Sequence, residues 1–492
     1  MLQALKKEAN YTFTENGALT YASTMSHCLD LFATAGGLRK AAEDEIIKRF
    51  VRAYAEDADA AMKILFYARD VRGGLGERRF FRVVLRFLAE NHAASVIKNL
   101  AWITAYGRYD DLLILLDTPC ESAVTAFLKK QLMQDIGCLL NNDKNISLLA
   151  KWLPSVNTSS REKVRLGRKL AKGFGLSEKQ YRKTLSVLRR KIDILENHLR
   201  ETDYSFAYEK QPGKALLKYR KAFNTHDADR YAKFLDKVNK HEAVMHTGTL
   251  MPYEIIEPFY KGWRGLGSCV SEEEEKALET SWYAQEDFAG EQNSLVIIDG
   301  SGSMYGGGNP LPAAVAQSLG LYFAERNTGA FANHFITFSS KPQLVEIKGQ
   351  SLRTRLQHIS SYDEAADTNI QAVFELILKA AVKNHVPAAE MPERIFIISD
   401  MEFNYCAENA DTTNFEYAKR IFDEAGYKLP KIIFWNVASR AQQLPVTKNE
   451  QGVTLVSGCS ARVFQQVLSD HTDPLTFMME IIGSKRYEKI AA

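Results

Sequence analysis

From Ala22 to about Tyr260 apolar residues recur at three- and four-residue spacing, as in Phe81, Leu85 and Leu88, or in Leu185, Leu188, Ile192 and Leu195. That period puts one apolar stripe on an α-helix and turns it inward. β-Branched alternating runs are almost absent here, and breaks at Ala35-Gly-Gly, Arg72-Gly-Gly-Leu-Gly, Tyr106-Gly and Gly173-Phe-Gly separate helices of ordinary length. The pattern predicts an all-α N-terminal half of stacked helix pairs. No clean sequence period emerges, so a solenoid arrangement rests on helix count and short connections alone.

Between Lys261 and Asn293 the pattern changes, with turns around Gly262, Gly265 and Gly267, then Glu272-Glu-Glu-Glu. Beyond it the chain alternates. Apolar runs at Ser294–Asp299, Asn333–Phe338, Arg394–Asp400, Lys431–Val437 and Gly452–Val456 predict strands, and Leu311–Glu325, Asn369–Lys383 and Phe415–Ala425 predict helices. Strands apolar on both faces and alternating with helices imply a mostly parallel sheet covered on both sides, with ligands at the carboxyl ends of its strands. The expected division is a helical domain over 1–265, a connector over 266–292 and an α/β domain over 293–492.

With 492 residues, 46% hydrophobic and 25% charged, the chain is too long for one core and too apolar for extended disorder. The opening residues lack a charged stretch followed by an apolar run, and no window approaches a membrane span, so a soluble cytoplasmic protein is expected, without a membrane partner. Six widely spaced cysteines form no CxxC pair, which fits reduced, buried thiols. The net charge of +3 hides an asymmetry: residues 151–240 hold 23 Lys and Arg against 10 Asp and Glu, leaving the remainder acidic.

Two of the apolar strands end in aspartate, at Asp299 and Asp400, and the first continues as Asp299-Gly-Ser301-Gly-Ser303. A carboxylate and two hydroxyls in one glycine-spaced loop are hard oxygen donors, suited to Mg²⁺, or alternatively Ca²⁺ or Mn²⁺, rather than zinc. With so few anionic ligands the cation keeps positions for water or for a partner's oxygen. Taken alone, such a string also occurs in helix-capping turns. Together with the strand before it and the helix after it, it resembles the metal-ion-dependent adhesion site (MIDAS) of von Willebrand A domains, a Rossmann-like α/β fold. That resemblance implies a site completed by Thr368, in Asp367-Thr368-Asn369, and by Asp400. Glu402 and Asp411 lie close enough in sequence to support the ligands, although solvated surface carboxylates are the better-weighted reading.

In the helical half, Ala68-Arg-Asp-Val-Arg-Gly-Gly-Leu-Gly-Glu-Arg-Arg-Phe, Tyr106-Gly-Arg-Tyr-Asp-Asp-Leu and Lys214-Ala-Leu-Leu-Lys-Tyr-Arg-Lys-Ala-Phe resemble a family of uncharacterised proteins. That family is related to the TROVE module of the Ro ribonucleoprotein autoantigen, which joins HEAT-like helical repeats to a von Willebrand A domain in the order found here. The resemblance implies RNA as partner without supplying a residue-level site. Charge points the same way: Arg182, Lys183, Arg189, Arg190, Lys191, Lys214, Lys218, Arg220 and Lys221 are concentrated enough to attract a polyanion. Tyr181, Tyr219 and Phe223 lie among them; stacking on unpaired bases is one reading and core packing the favoured one. The glycine loop before Arg78 lacks the strand and the Lys-Ser/Thr of a phosphate-binding loop. It reads as a helix connection whose Arg72, Arg78 and Arg79 pair with Asp70 and Glu77 or face RNA.

The leading expectation is a non-enzymatic RNA-binding, ribonucleoprotein scaffold with a Mg²⁺-dependent ligand site. The alternative is a protein-interaction module that takes a partner's carboxylate through the metal, without RNA. A metal-dependent hydrolase fits least, because no His or Lys in these motifs is an obvious general base. Residues 20 to 260 are short for a closed ring, so an open arc or an oligomer carries equal weight.

Overall fold

The expected helices form where the apolar stripes are strongest. The helix Arg78–Asn91 buries Phe80, Phe81, Val84, Leu85 and Leu88 on one side. The helix Glu178–Lys191 opens with a capping box, in which Ser177 Oγ accepts from the Gln180 amide and Gln180 accepts from the Ser177 amide. Its stripe does not run on to Leu195: Asp193 adopts φ 51°, the chain turns, and Leu195–Arg200 begins a separate helix. The structure is a computed structural model that describes residues 1–492 except 2–4, 6–8, 262–264, 268–269, 291–292, 307, 365–367, 405–411 and 469–472.

Within residues 266–292 the glutamate run opens a helix, Glu272–Tyr283, capped by Ser271, whose first turn holds four carboxylates at the positive end of the helix dipole. Its buried side chains include Ala277, Leu278 and Trp282, so this segment is packed rather than extended.

A hairpin of β1 (Tyr11–Phe13) and β2 (Leu19–Tyr21) precedes the first long helix. In the C-terminal part β3 (Ser294–Asp299), β4 (His334–Phe338), β5 (Leu344–Glu346), β6 (Arg394–Ser399), β7 (Lys431–Asn436) and β8 (Val453–Ser457) form one sheet, in the order β5-β4-β3-β6-β7-β8. All neighbours pair in parallel except β5, which runs antiparallel to β4 at one edge. The period of two divides the strand residues between two cores. Val296, Ile298, Phe396, Ile398, Ile433, Trp435 and Val456 pack with the helix Pro312–Arg326 and with the helical half. Leu295, Ile297, Ile395, Ile397, Ile432, Phe434 and Leu455 pack against the helices Ile370–Lys383 and Asn414–Glu424. Both faces are therefore covered, which is why these strands read as continuous apolar runs.

The helical part and the α/β part share one core, and contacts between them are close. Gly36 donates its amide to Ser457 Oγ, 3.0 Å away, and a Cβ at Gly36 would stand 2.4 Å from the Gly458 nitrogen. The Ala35-Gly-Gly break is thus a point where two backbones touch and only glycine fits. From the other end, Arg486 and Tyr487 reach back to Asp70: Arg486 Nη2 lies 2.8 Å from Asp70 Oδ1, and Tyr487 donates its hydroxyl to Oδ2 at 2.9 Å. No helix among the described residues is long and apolar enough to cross a membrane.

Candidate functional site

The parallel register of β3 and β6 sets Ile298 opposite Ile398, so Asp299 stands beside Ser399 and Asp400 follows immediately. Ser399 donates its hydroxyl to Asp299 Oδ2 at 2.5 Å, and the Ser301 amide donates to Asp299 Oδ1 at 2.9 Å. Ser301 and Ser303 hold their hydroxyl oxygens 3.1 Å apart. Asp299, Ser301, Thr368 and Asp400 are all buried. Among the described residues no cationic side chain pairs with Asp299. Burial first, and the Asp400 charge second, push its carboxyl up to about 7.

Thr368 joins the group through the loop after β6. Its hydroxyl lies 2.7 Å from the Glu402 carbonyl and 2.9 Å from Asn404 Oδ1, and the Glu402 amide in turn donates to Asp400 Oδ1 at 3.2 Å. The five sequence-predicted positions therefore gather at one edge of the sheet, the carboxyl ends of its strands. The donor set of two carboxylates and three hydroxyls fits a hard divalent cation. Among the described residues no group of three or more His, Cys, Asp or Glu side chains could hold a metal, so any cation here depends on the hydroxyls.

Six further participants, Asp363, Gln317, Tyr305, Arg440, Glu15 and Asn16, carried no local signal in the sequence. Asp363 stands against the loop, its Oδ1 only 2.1 Å from where a Cβ of Gly300 would be. Glycine is therefore required there. Gln317 donates to Asp363 Oδ2 at 2.8 Å, Tyr305 also donates to it, and burial pushes this carboxyl up to about 6. Arg440, in the loop after β7, lies 3.1 Å from Asp400 Oδ2. The tip of the β1–β2 hairpin supplies Glu15 and Asn16. Glu15 Oε2 is 3.1 Å from the same Arg440 nitrogen, and Asn16 Nδ2 donates to Thr368 Oγ1 at 3.1 Å and to the Glu402 carbonyl at 2.6 Å. Glu402, weighted as a surface carboxylate, is buried and accepts the Glu15 amide at 2.7 Å. Asp411 lies outside the described residues.

The nine basic candidates divide into two groups on separate helices. Arg182, Lys183 and Arg190 are exposed beside a cleft of about 600 Å³, and their side chains make no hydrogen bond or ion pair among the described residues. Lys191 is held by Asn142 Oδ1 at 2.8 Å. Arg189 is spent on structure: its guanidinium donates to the Ala150 and Leu153 carbonyls and to Ser155 Oγ, each within 2.8 Å. On the helix Gly213–His226, two glutamates face three of the four basic side chains. Lys214 pairs with Glu254 at 3.0 Å, Arg220 with Glu274, and Lys221 lies 3.6 Å from Glu274, while Lys218 donates to Tyr219. Tyr181 and Phe223 are buried in the core and Tyr219 is half-buried, so core packing describes the first two.

Residues 14–121 and 168–292 match a domain of unknown function (DUF2828), and residues 293–480 match a second domain of unknown function (DUF7788). The chain is similar to an uncharacterised family. It is 28% identical to an uncharacterised protein of Acanthamoeba polyphaga mimivirus, over 96% of this chain and 87% of the relative. The crystal structure of the Deinococcus radiodurans Ro (RSR) protein aligns with 94% of this chain and 100% of that one, at 12% identity and a TM-score of 0.36. The two matched domains meet directly before β3, where the buried strands begin.

The pairing expected within the glycine loop is replaced by longer-range ones. Arg78 bonds Asp110, Arg79 caps the Arg39 and Ala41 carbonyls, and Glu77 and Asp70 are taken by Arg39 and Arg486. Within the loop Asp70 keeps only the Arg72 backbone amide, at 2.9 Å, and packing between distant segments delivers the guanidinium it pairs with. Cys28, Cys120 and Cys459 are buried free thiols and Cys138 is partly exposed; Cys269 and Cys406 lie outside the described residues.

Proposed function

We propose that this chain is a binding scaffold whose α/β part, a von Willebrand A-like domain, holds one divalent cation, Mg²⁺ first, for an acidic ligand, and whose HEAT-like helical part binds RNA. The observation that carries the cation reading is the pair of buried carboxylates, Asp299 and Asp400, on adjacent strand ends. Asp299 has hydroxyl and amide donors but no positive partner among the described residues. Burying a carboxylate without compensation costs several kcal/mol, and a bound cation would offset that cost. Ser301, Ser303 and Thr368 would complete the ligation. Hydroxyl-rich ligation suits presenting a cation to a ligand better than activating water.

The RNA reading rests on the exposed Arg182, Lys183 and Arg190 beside their cleft, because cations without protein partners are free to neutralise phosphates. Lys214, Arg220 and Lys221 already face glutamates and contribute less. The test for the cation is calorimetric titration of Mg²⁺ into the purified chain and into Asp299→Ala; equal binding by both overturns the site. The test for RNA is affinity at roughly 50 mM salt; none there, combined with a pull-down that survives RNase and collapses in EDTA, would leave the protein-interaction reading instead.

A further inference from the structure

Two of the five proposed cation ligands are already engaged by groups at the mouth of the site. Asp400 Oδ2 lies 3.1 Å from Arg440 Nη2, and its other oxygen accepts the Glu402 amide. Thr368 Oγ1 accepts a hydrogen bond from Asn16 Nδ2 at 3.1 Å while its own proton is directed at the Glu402 carbonyl or Asn404. In that arrangement Asn16 takes one of the hydroxyl's two lone pairs, and only the other, in a direction fixed by the existing bonds, is left for a metal. Arg440 also holds Glu15 Oε2 at 3.1 Å. The backbone of the same tip is tied down through the Glu15 amide to Glu402 Oε2, at 2.7 Å, and through Thr14 Oγ1 to the Phe403 carbonyl, at 2.6 Å. These contacts join residues nearly 390 positions apart in the chain.

We infer that the tip of the N-terminal hairpin, acting with Arg440, competes with the divalent cation for Asp400 and Thr368, so that cation binding and release of Glu15 and Asn16 are one equilibrium. The inference rests on the cation reading and adds a coupling to it. The physics is displacement. A guanidinium beside a carboxylate supplies part of the charge compensation that a divalent ion supplies more fully, and the two cannot share the same oxygen without repelling each other. Because Glu15 is held by the guanidinium that would be repelled, and Asn16 by the hydroxyl that would turn to the metal, the hairpin tip loses two anchors when the ion enters. Linkage makes the effect reciprocal: whatever weakens the tip tightens the cation.

The coupling is tested with Mg²⁺ alone on the full chain, by titration calorimetry of the natural protein, Asn16→Ala and Arg440→Gln, and by amide exchange of residues 14 to 18. Each variant removes one competitor, so both bind Mg²⁺ about three- to tenfold tighter, and saturating Mg²⁺ speeds exchange at the Glu15 amide of the natural protein. Equal or weaker binding in both variants, with exchange at Glu15 unchanged by Mg²⁺, removes the competition while leaving the cation site. Absence of Mg²⁺ binding from all three proteins removes the cation site and the coupling with it. If one variant fails to fold, the other and the exchange measurement decide.

Discussion

In the α/β part Asp299 and Asp400 lose their water because two hydrophobic strands deliver them, in register, to a buried edge. In the helical part Arg182, Lys183 and Arg190 keep theirs, since they project from the exposed side of a helix whose other side buries Tyr181, Leu185 and Leu188. The first arrangement spends folding free energy to hold like charges close together, so a ligand of opposite charge gains by relieving it. The second costs the fold little and gains only from screened attraction to a polyanion. The two regions should therefore respond to mutation, pH and salt in different ways.

The largest expected effect is on the cation. Asp299→Ala should lower Mg²⁺ affinity at least about a hundredfold by calorimetry, because one of only two anionic ligands is gone, while RNA affinity stays within about twofold. A parallel loss of RNA affinity would show that the two regions do not act separately.

Next comes pH. The folded-state pKa of Asp299 is raised, so the folded chain holds a proton that the unfolded chain has already released. Without divalent cation, stability should therefore fall as pH climbs from about 4 to about 7, by a few kcal/mol at most. Asp363, also raised, adds in the same direction over a narrower window. Urea titrations at pH 5 and pH 7.5 check the sign; saturating Mg²⁺, or Asp299→Asn, should flatten the slope. A steeper slope in Asp299→Asn would assign the pH dependence elsewhere.

A smaller effect separates the two basic groups. Arg182→Glu with Arg190→Glu should weaken RNA binding about tenfold at low salt and reduce the salt dependence by one to two phosphate equivalents, whereas Lys214→Glu with Lys221→Glu should cost less than about threefold. The reverse ranking would place RNA on the glutamate-lined helix. Smallest for binding is Arg189→Ala: a drop of about 1–3 kcal/mol in stability, from orphaned carbonyls at Ala150 and Leu153, with little change in RNA affinity.

Local signals were legible. The apolar runs ending in Asp299 and Asp400 are strands, Ser294–Asp299 and Arg394–Ser399, and the helix expected over Asn369–Lys383 runs Ile370–Lys383 with Asn369 as its cap. Period, cap and strand end are encoded within a few residues, because they follow from backbone sterics and from which face meets water. The three-residue strands β1, β2 and β5 carry too little alternation to stand out in the sequence.

The partners of the charged side chains needed the tertiary structure. Arg440, Glu15 and Asn16 meet Asp400 and Thr368 only because the hairpin docks across the loop ends of a sheet formed some 280 residues later. Arg189 and Arg190 are adjacent in sequence, yet one is consumed by backbone carbonyls and the other faces solvent. A sequence sets periodicity because that depends on neighbours along the chain. It does not set which acid a given base will meet, because that depends on packing between segments that share no local pattern.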